Sequence, residues 1–209
     1  MDSDPRVFVV DDDRALLTAI ERVLSSSGHQ VETFTSPAFF IEQLPYDGPA
    51  CLVLDLRMPD LNGLDVQEWL LLKGITIPTV FLSGASDVPT TARAMRQGAV
   101  DFLVKPVDEA ELLGAVSRAL AAAVENRRRG REAEQSSTRL ARLTRRERQV
   151  CELVARGLLN KQIAFELGAS EKTIKVHRGR VMRKLEVESV AELVWLLSRL
   201  PVAQAAGSR

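Results

Sequence analysis

The chain has 209 residues, 45% hydrophobic and 27% charged, an ordinary composition for a soluble protein of one or two domains. No apolar stretch is long enough to span a bilayer, and Met1-Asp2-Ser3-Asp4-Pro5 leads into no signal-like run, so a cytoplasmic protein with no membrane partner is expected. Cys51 and Cys151, widely separated and in apolar settings, read as reduced core thiols rather than a disulfide framework.

The zero net charge hides a division. Residues 1–120 carry 9 Lys and Arg against 18 Asp and Glu, and the rest of the 28 of each sign leaves 19 against 10 in residues 121–209. Such asymmetry predicts two domains with different partners, the basic half being the candidate for a polyanion. A solvated basic surface is the plainer alternative.

In the acidic half, apolar β-rich runs recur at Val7–Val10, Val31–Phe34, Cys51–Leu54, Thr79–Leu82 and Phe102–Val104. Between them lie stretches with helical spacing, such as Leu17, Ile20 and Leu24, or Ala92 and Met95. Gly28, Gly74 and Gly98 stand where helices end, and Asp108 with Glu111 caps a last helix through about Val124. Strands alternating with helices predict an α/β fold, a doubly wound five-stranded parallel sheet covered on both faces.

Polar residues fall where this architecture puts a site. Val7–Val10 ends in Asp11-Asp12-Asp13, Cys51–Leu54 in Asp55, Thr79–Leu82 in Ser83-Gly84, and Phe102–Val104 in Lys105-Pro106. Ligands of open doubly wound sheets bind outside the carboxyl ends of the strands. Clustered carboxylates repel one another and suit a hard cation such as Mg²⁺, beside which a carboxylate can act as nucleophile toward a phosphoryl group. Lys105 would neutralise phosphoryl oxygens and Ser83 would donate to one. A single Asp reads more simply as a turn or cap residue, but four strand ends in agreement favour a site.

These residues, with Leu54-Asp55-Leu56-Arg57-Met58-Pro59-Asp60-Leu61-Asn62-Gly63 and Asp101-Phe102-Leu103-Val104-Lys105-Pro106, make residues 5–124 resemble a response-regulator receiver domain of flavodoxin-like fold. The resemblance implies that Asp55 is the phosphoacceptor. It further implies that Asp12, Asp55 and the backbone carbonyl of Arg57 hold Mg²⁺ with help from Asp11, and that Ser83 and Lys105 engage the phosphoryl group. Phe102 takes the place of an aromatic rotamer switch, plain core packing being the alternative, and the Lys105–Pro106 bond is expected to be cis.

Residues 125–143 are highly charged, with Arg, Glu and Ala enough to continue as an exposed helix, and read as a helical linker. Arg127–Arg131 are either solvated linker cations or contacts to phosphates or a domain interface. Beyond them, Thr144 with Glu147 makes a capping box for a helix carrying Val150, Leu153 and Val154. Asn160 is expected to cap a second helix, Lys161–Leu167. After Gly168-Ala169, Ser170 caps a third running to about Leu185, and Ser189 with Glu192 caps a fourth. Two short helices joined by a Gly-containing turn read as helix-turn-helix.

The third helix sets a buried stripe of Ile174, Val181 and Leu185 against Lys172, Lys175, Arg178 and Arg180, with Arg183 and Lys184 further along. A cationic face opposite a core stripe fits contact with double-stranded DNA. Leu143-Thr144-x-Arg146-Glu147, Asn160-Lys161-x-Ile163-Ala164-x-x-Leu167 and Ser170-x-x-Thr173-Ile174-Lys175-x-His177 resemble the tetrahelical helix-turn-helix module of LuxR-type regulators. That implies Lys175 and Val176 read base edges, while Lys161, Lys172, Thr173, His177, Arg178 and Arg180 lie at the DNA interface, mainly positioning the backbone. Gly179 replaces a base-reading lysine of relatives, with Arg178 or Arg180 as candidates to compensate, and lowers helix propensity by about 1 kcal/mol against Ala. The fourth helix implies dimerisation on DNA, its apolar residues being interface or core.

Together the two resemblances identify a NarL/FixJ-group response regulator with a receiver at 1–124, a linker at 125–143 and a DNA-binding domain at 144–209. Its expected partners are a sensor histidine kinase, promoter DNA and, on phosphorylation, a second copy of itself; it is not a turnover enzyme. One rival takes Asp11-Asp12-Asp13 as the Asp-x-Asp of a haloacid-dehalogenase-type phosphatase, though Ala15 stands where that family wants Thr or Val. Another keeps the fold but binds DNA independently of phosphorylation.

Overall fold

The computed structural model describes residues 4–59, 61–84 and 88–199, the side chains of 88–91 excepted. The chain forms two compact units that divide after Arg127. In the first, β1 (Arg6–Val10), β2 (Gln30–Phe34), β3 (Ala50–Asp55), β4 (Thr79–Ser83) and β5 (Asp101–Val104) alternate with α1 (Arg14–Ser26), α2 (Pro37–Glu42), α3 (Gly63–Leu72), α4 (Val88–Arg96) and the start of α5 (Glu109–Ala141), which continues into the second. All strand pairs are parallel, in the order β2-β1-β3-β4-β5.

Residues alternate between the two sheet faces, so each run feeds two cores. Val7, Val9, Cys51, Val53, Val80 and Leu82 pack with α1 and α5 residues such as Leu24 and Val116. Phe8, Val10, Leu52, Leu54 and Phe81 pack on the other face with Phe40, Leu64, Val66 and Leu70. Double coverage is why the central strands are apolar throughout, while edge strand β2 is only partly buried. Gly28, Gly74 and Gly98 take φ of 85°, 70° and 90° just after helices, as their positions suggested. α4 turns inward through Ala94, whereas Met95 is exposed, so the spacing of Ala92 and Met95 marked the helix without marking its core face.

The last receiver helix does not stop near Val124: α5 runs 33 residues without a break, so the segment expected as a helical linker is helical through Ala141 and continuous with it. Nothing in 125–141 stops a helix: the stretch lacks Pro, and Gly130 is tolerated amid Arg, Glu and Ala.

The second unit packs α6 (Arg145–Ala155), α7 (Asn160–Glu166), α8 (Glu171–Leu185) and α9 (Val190–Ser198) around Val150, Leu153, Ile163, Ile174, Val181, Leu185 and Leu193. The Thr144–Glu147 capping box is present, and Ser170 and Ser189 cap α8 and α9. Asn160 does not cap α7: Leu159 holds the cap position and donates its backbone N–H to Gln162 Oε1 at 2.8 Å, while Asn160 lies in the first turn. The residues 200–209 assigned to this domain lie outside the described ones. Cys51 and Cys151 are free and buried, and burial pushes their thiols up to about 12 and about 11 respectively.

Glu147 does more than cap. Its buried carboxylate accepts from Lys184 Nζ at 2.6 Å and from the Thr144 backbone N–H at 2.9 Å. These bonds, Lys184 foremost, hold it down at about 2 against an ordinary 4.5, burial opposing them. A depressed carboxylate contributes stability that is complete above about 4.5 and lost as pH falls toward about 2. With Trp69→Phe leaving Trp195 as sole reporter, Glu147→Gln should lower the urea-unfolding free energy of this unit at neutral pH by about 2 kcal/mol. The variant should also lose part of the stability slope between those pH values; an unaltered slope would count against the pairing.

Candidate functional site

The sheet carries four strand ends to one rim. Val10 pairs with Leu54, Asp55 with Leu82, and Ser83 with Val104, so β1, β3, β4 and β5 end in step. The Lys105 backbone N–H bonds the Ser83 carbonyl at 2.7 Å, and the Leu56 N–H bonds the Leu82 carbonyl at 2.9 Å, carrying the register past the last strand residues. Carboxylate oxygens of Asp11, Asp12 and Asp55 lie within 4.8 Å of one another. Asp11 and Asp55 are buried and Asp12 is exposed, which leaves the cluster an open side.

Lys105 enters this cluster from β5. Its Nζ stands 2.6 Å from Asp11 Oδ2 and 2.7 Å from Asp55 Oδ1, and the Lys105–Pro106 bond that follows is cis. The Arg57 backbone N–H donates to Asp55 Oδ2 at 3.0 Å, and the Asp13 N–H to Asp11 Oδ1 at 2.9 Å, so each buried carboxylate has both oxygens engaged. Burial raises the Asp55 carboxyl above its usual range, with the charge of Asp11 adding; the hydrogen bonds from Lys105 and Arg57 oppose it without prevailing. At Lys105, burial pulls the ammonium down, but its bonds to the two aspartates outweigh this and the net shift is upward. Three converging carboxylates are a donor set of the hard, all-oxygen kind that suits a divalent ion.

Ser83 is fully buried at the end of β4. Phe102 is half-buried and packs against the core cluster on the α3 side of the sheet. Asp13 stands apart from the cluster: its carboxylate caps α1, accepting from the Ala15 and Leu16 backbone N–H groups at 2.8 and 3.2 Å. The second aspartate of the Asp-x-Asp reading therefore has a structural occupation. The loop residues 85–87, and Asp60 of the motif around Asp55, lie outside the described residues.

Two features of the rim carry weak sequence signals. Asn62 caps α3 through a 3.0 Å bond from the Leu64 N–H. Gly63, next to it, lies so close to the Asp55 strand that a Cβ built there would stand 2.4 Å from the Asp55 carbonyl oxygen. A glycine opening a helix after Asn was visible in the sequence, but what it approaches was not.

In the second unit, Lys161, Lys172, Thr173, Lys175, Val176 and Arg180 are exposed, as are Gly179 and Arg183. Thr173 joins the cap of α8, its hydroxyl 2.7 Å from that of Ser170. His177 is half-buried and its Nδ1 is buried without a hydrogen-bond partner. Arg178, a candidate to replace a base contact at Gly179, is half-buried with Nη1 3.1 Å from Asn160 Oδ1. Asn160 thus orients Arg178 instead of capping α7, a link across 18 positions that local pattern does not reveal. Lys184 is likewise engaged, by Glu147 and by the Arg142 carbonyl at 3.1 Å.

A five-stranded parallel sheet with an acidic rim, followed by a helix-turn-helix unit, defines a receiver-like α/β domain joined to a DNA-binding one. Residues 7–117 match the model of the response regulator receiver domain, and residues 141–197 that of the bacterial regulatory proteins of the luxR family. Response regulator protein TodT of Pseudomonas putida is 43% identical over 194 residues, covering 93% of this chain and 86% of that one. FixJ of Azorhizobium caulinodans is 39% identical over 200 residues, covering 95% and 94%. The solved structure of the response regulator StyR superposes with a TM-score of 0.82 at 44% identity, covering 94% of this chain and all of that one. The chain belongs to the NarL/FixJ-type response regulators, transcription regulators with a receiver and a LuxR-type DNA-binding domain, and not to the turnover enzymes.

The Gly63 contact yields a direct test. Alanine at 63 must displace backbone, since the nearest atom is the Asp55 carbonyl oxygen, and such overpacking costs about 2 kcal/mol. With Trp195→Phe leaving Trp69 as reporter, Gly63→Ala should shift the receiver's urea midpoint down; an unchanged midpoint contradicts the close approach.

Proposed function

We propose that Asp55 is the phosphoacceptor of a two-component switch in the cytoplasm, and that its phosphorylation drives pairing of the chain and binding to promoter DNA. The observation that carries this reading is the Lys105 ammonium set between two buried aspartates at the switch point of the sheet. The receiver would occupy residues 1–124 and the DNA-binding domain 144–209, joined through 125–143. The phosphodonor is a sensor histidine kinase, whose phosphohistidine loses its P–N bond as an Asp55 oxygen forms the new P–O bond.

Asp11, Asp12, Asp55 and the Arg57 backbone carbonyl would hold Mg²⁺, and the convergent carboxylates fit it. When bound, the ion supplies charge neutralisation for the phosphoryl oxygens. Lys105 gives that oxyanion an ammonium already positioned at Asp55, and Ser83 donates its hydroxyl to a second oxygen. The loop after Ser83 then shifts and Phe102 follows it, biasing a two-state equilibrium by a few kcal/mol. α4 and β5 form the face that pairs with a second copy, and two α8 helices reach two half-sites whose symmetry mirrors the protein's. At the DNA, Lys175 and Val176 read base edges, while Lys161, Lys172, Thr173, His177, Arg178 and Arg180 hold the backbone. Of these, Arg178 is supported least, since Asn160 already takes its guanidinium.

Incubation with acetyl phosphate and Mg²⁺ should add one phosphate by mass, and Asp55→Asn should abolish the addition. Normal labelling of that variant would sink the assignment. For the DNA-binding helix, Lys172→Ala should weaken binding to all duplexes alike and reduce the salt slope of the affinity by about one. A sequence-dependent loss with an unchanged slope would move Lys172 from phosphate to base contact.

A further inference from the structure

α8 carries a glycine in its interior, and the fold gives no reason for it. Gly179 is exposed, its φ is not in the left-handed region, and a Cβ built there would meet no atom within 4 Å. Glycine inside a helix lowers stability against alanine, and among the described residues no contact at Gly179 offsets that cost. The exposed face is where a partner could offset that cost.

That face has a definite chemistry. Helical spacing aligns Lys172, Val176, Gly179 and Arg183, all exposed, on one stripe, with Lys175 beside it one turn before Gly179. Cations stand toward both ends. The centre is uncharged: Val176, an apolar side chain 48% exposed, and then an absence of side chain. Contact with phosphates alone would be served by another cation at 179. An apolar and then empty centre between cations instead fits a duplex whose backbones lie at the ends and whose base edges come up to the helix between them. Among base edges, the one that suits a valine next to bare backbone is the thymine edge, with its C5-methyl group.

We infer that Gly179 is a specificity-determining position: by lacking a Cβ it admits the methyl edge of a T·A pair against the α8 backbone, with Val176 packed on the same methyl. This deepens the reading that α8 binds DNA and rests on it.

The test starts by selecting a duplex from a randomised 20-base-pair library with the full wild-type chain, phosphorylated if selection requires it. Wild type and Gly179→Ala are then compared at one fixed salt concentration on the selected duplex, on an unselected duplex, and on selected duplexes with each thymine replaced in turn by uracil. Gly179→Ala should unfold at a higher temperature, so loss of binding cannot be loss of fold. It should bind the selected duplex about tenfold more weakly and the unselected duplex as wild type does. One thymine-to-uracil change should weaken wild type about fourfold, the worth of one methyl, and leave the variant nearly unchanged. Equal affinity of the two proteins for the selected duplex overturns the inference, as does an equal loss on both duplexes or the lack of any uracil-sensitive position. If wild type binds no duplex at any salt, the DNA reading itself falls and takes this inference with it.

Discussion

The receiver unit depends on one arrangement, the Lys105 ammonium held between Asp11 and Asp55. Two carboxylates buried side by side repel each other and lose hydration, and without a cation one would stay protonated. Lys105 supplies that cation from β5, reaching past β4 to β3 and β1 in the sheet order. The reach is possible only because β3, β4 and β5 end in step. Side chains alternate between faces, so slipping β5 by one residue would carry Lys105 away from both aspartates. The register is fixed in turn by the alternating apolar residues that fill two separate cores. The chemistry at the rim and the packing beneath it therefore impose the same constraint on the sequence.

The arrangement also leaves the rim ready to take up a further cation. Asp55 has both oxygens engaged, one by Lys105 and one by the Arg57 N–H, yet burial keeps its carboxyl pushed above the ordinary range. The carboxylate is thus incompletely compensated in its resting surroundings. A cation entering through the exposed Asp12 side would add the missing compensation without disturbing the strands. Gly63 belongs to the same device, since it lets the start of α3 press against the Asp55 carbonyl and fixes that strand end from above.

Much of this was legible in the sequence, for reasons that differ by residue. The strands and their ends could be read because Val7–Val10, Cys51–Leu54 and Thr79–Leu82 are continuous apolar runs that stop at charged or small polar residues. Caps at Thr144, Ser170 and Ser189 act over three positions, and short-range chemistry is what sequence shows best. The helicity of 125–141 was legible from its composition, but that it joins the last receiver helix without a break was not. A charged segment free of apolar periodicity looks the same as a solvated coil or an exposed helix, and only the absence of a breaker distinguished them. Asn160 misled because Asn is a good cap by type. Its carboxamide instead serves Arg178, a partner from the next helix that no local pattern announces.

The helical unit shows why a net charge is not a binding charge. The basic half carries a large surplus, but several of its cations are spent inside the unit. Arg139 and Arg142 pair with Glu186, Lys184 with Glu147, and Arg199 with Glu132, while Arg178 is held by Asn160. Among the described residues, no ion pair engages Lys172, Lys175, Arg180 or Arg183, all of which are exposed on α8. Exposed cations without an ion pair among the described residues also stand on other helices, as at Arg145 and Lys161, but α8 gathers four of them. Glu147 and Glu186, though acidic, thus sharpen the basic face: each holds arginine or lysine to the body of the unit, and the cations of α8 stay exposed. On the proposed DNA reading, separating one duplex from another would fall to the uncharged centre of that helix, where Val176 and Gly179 stand.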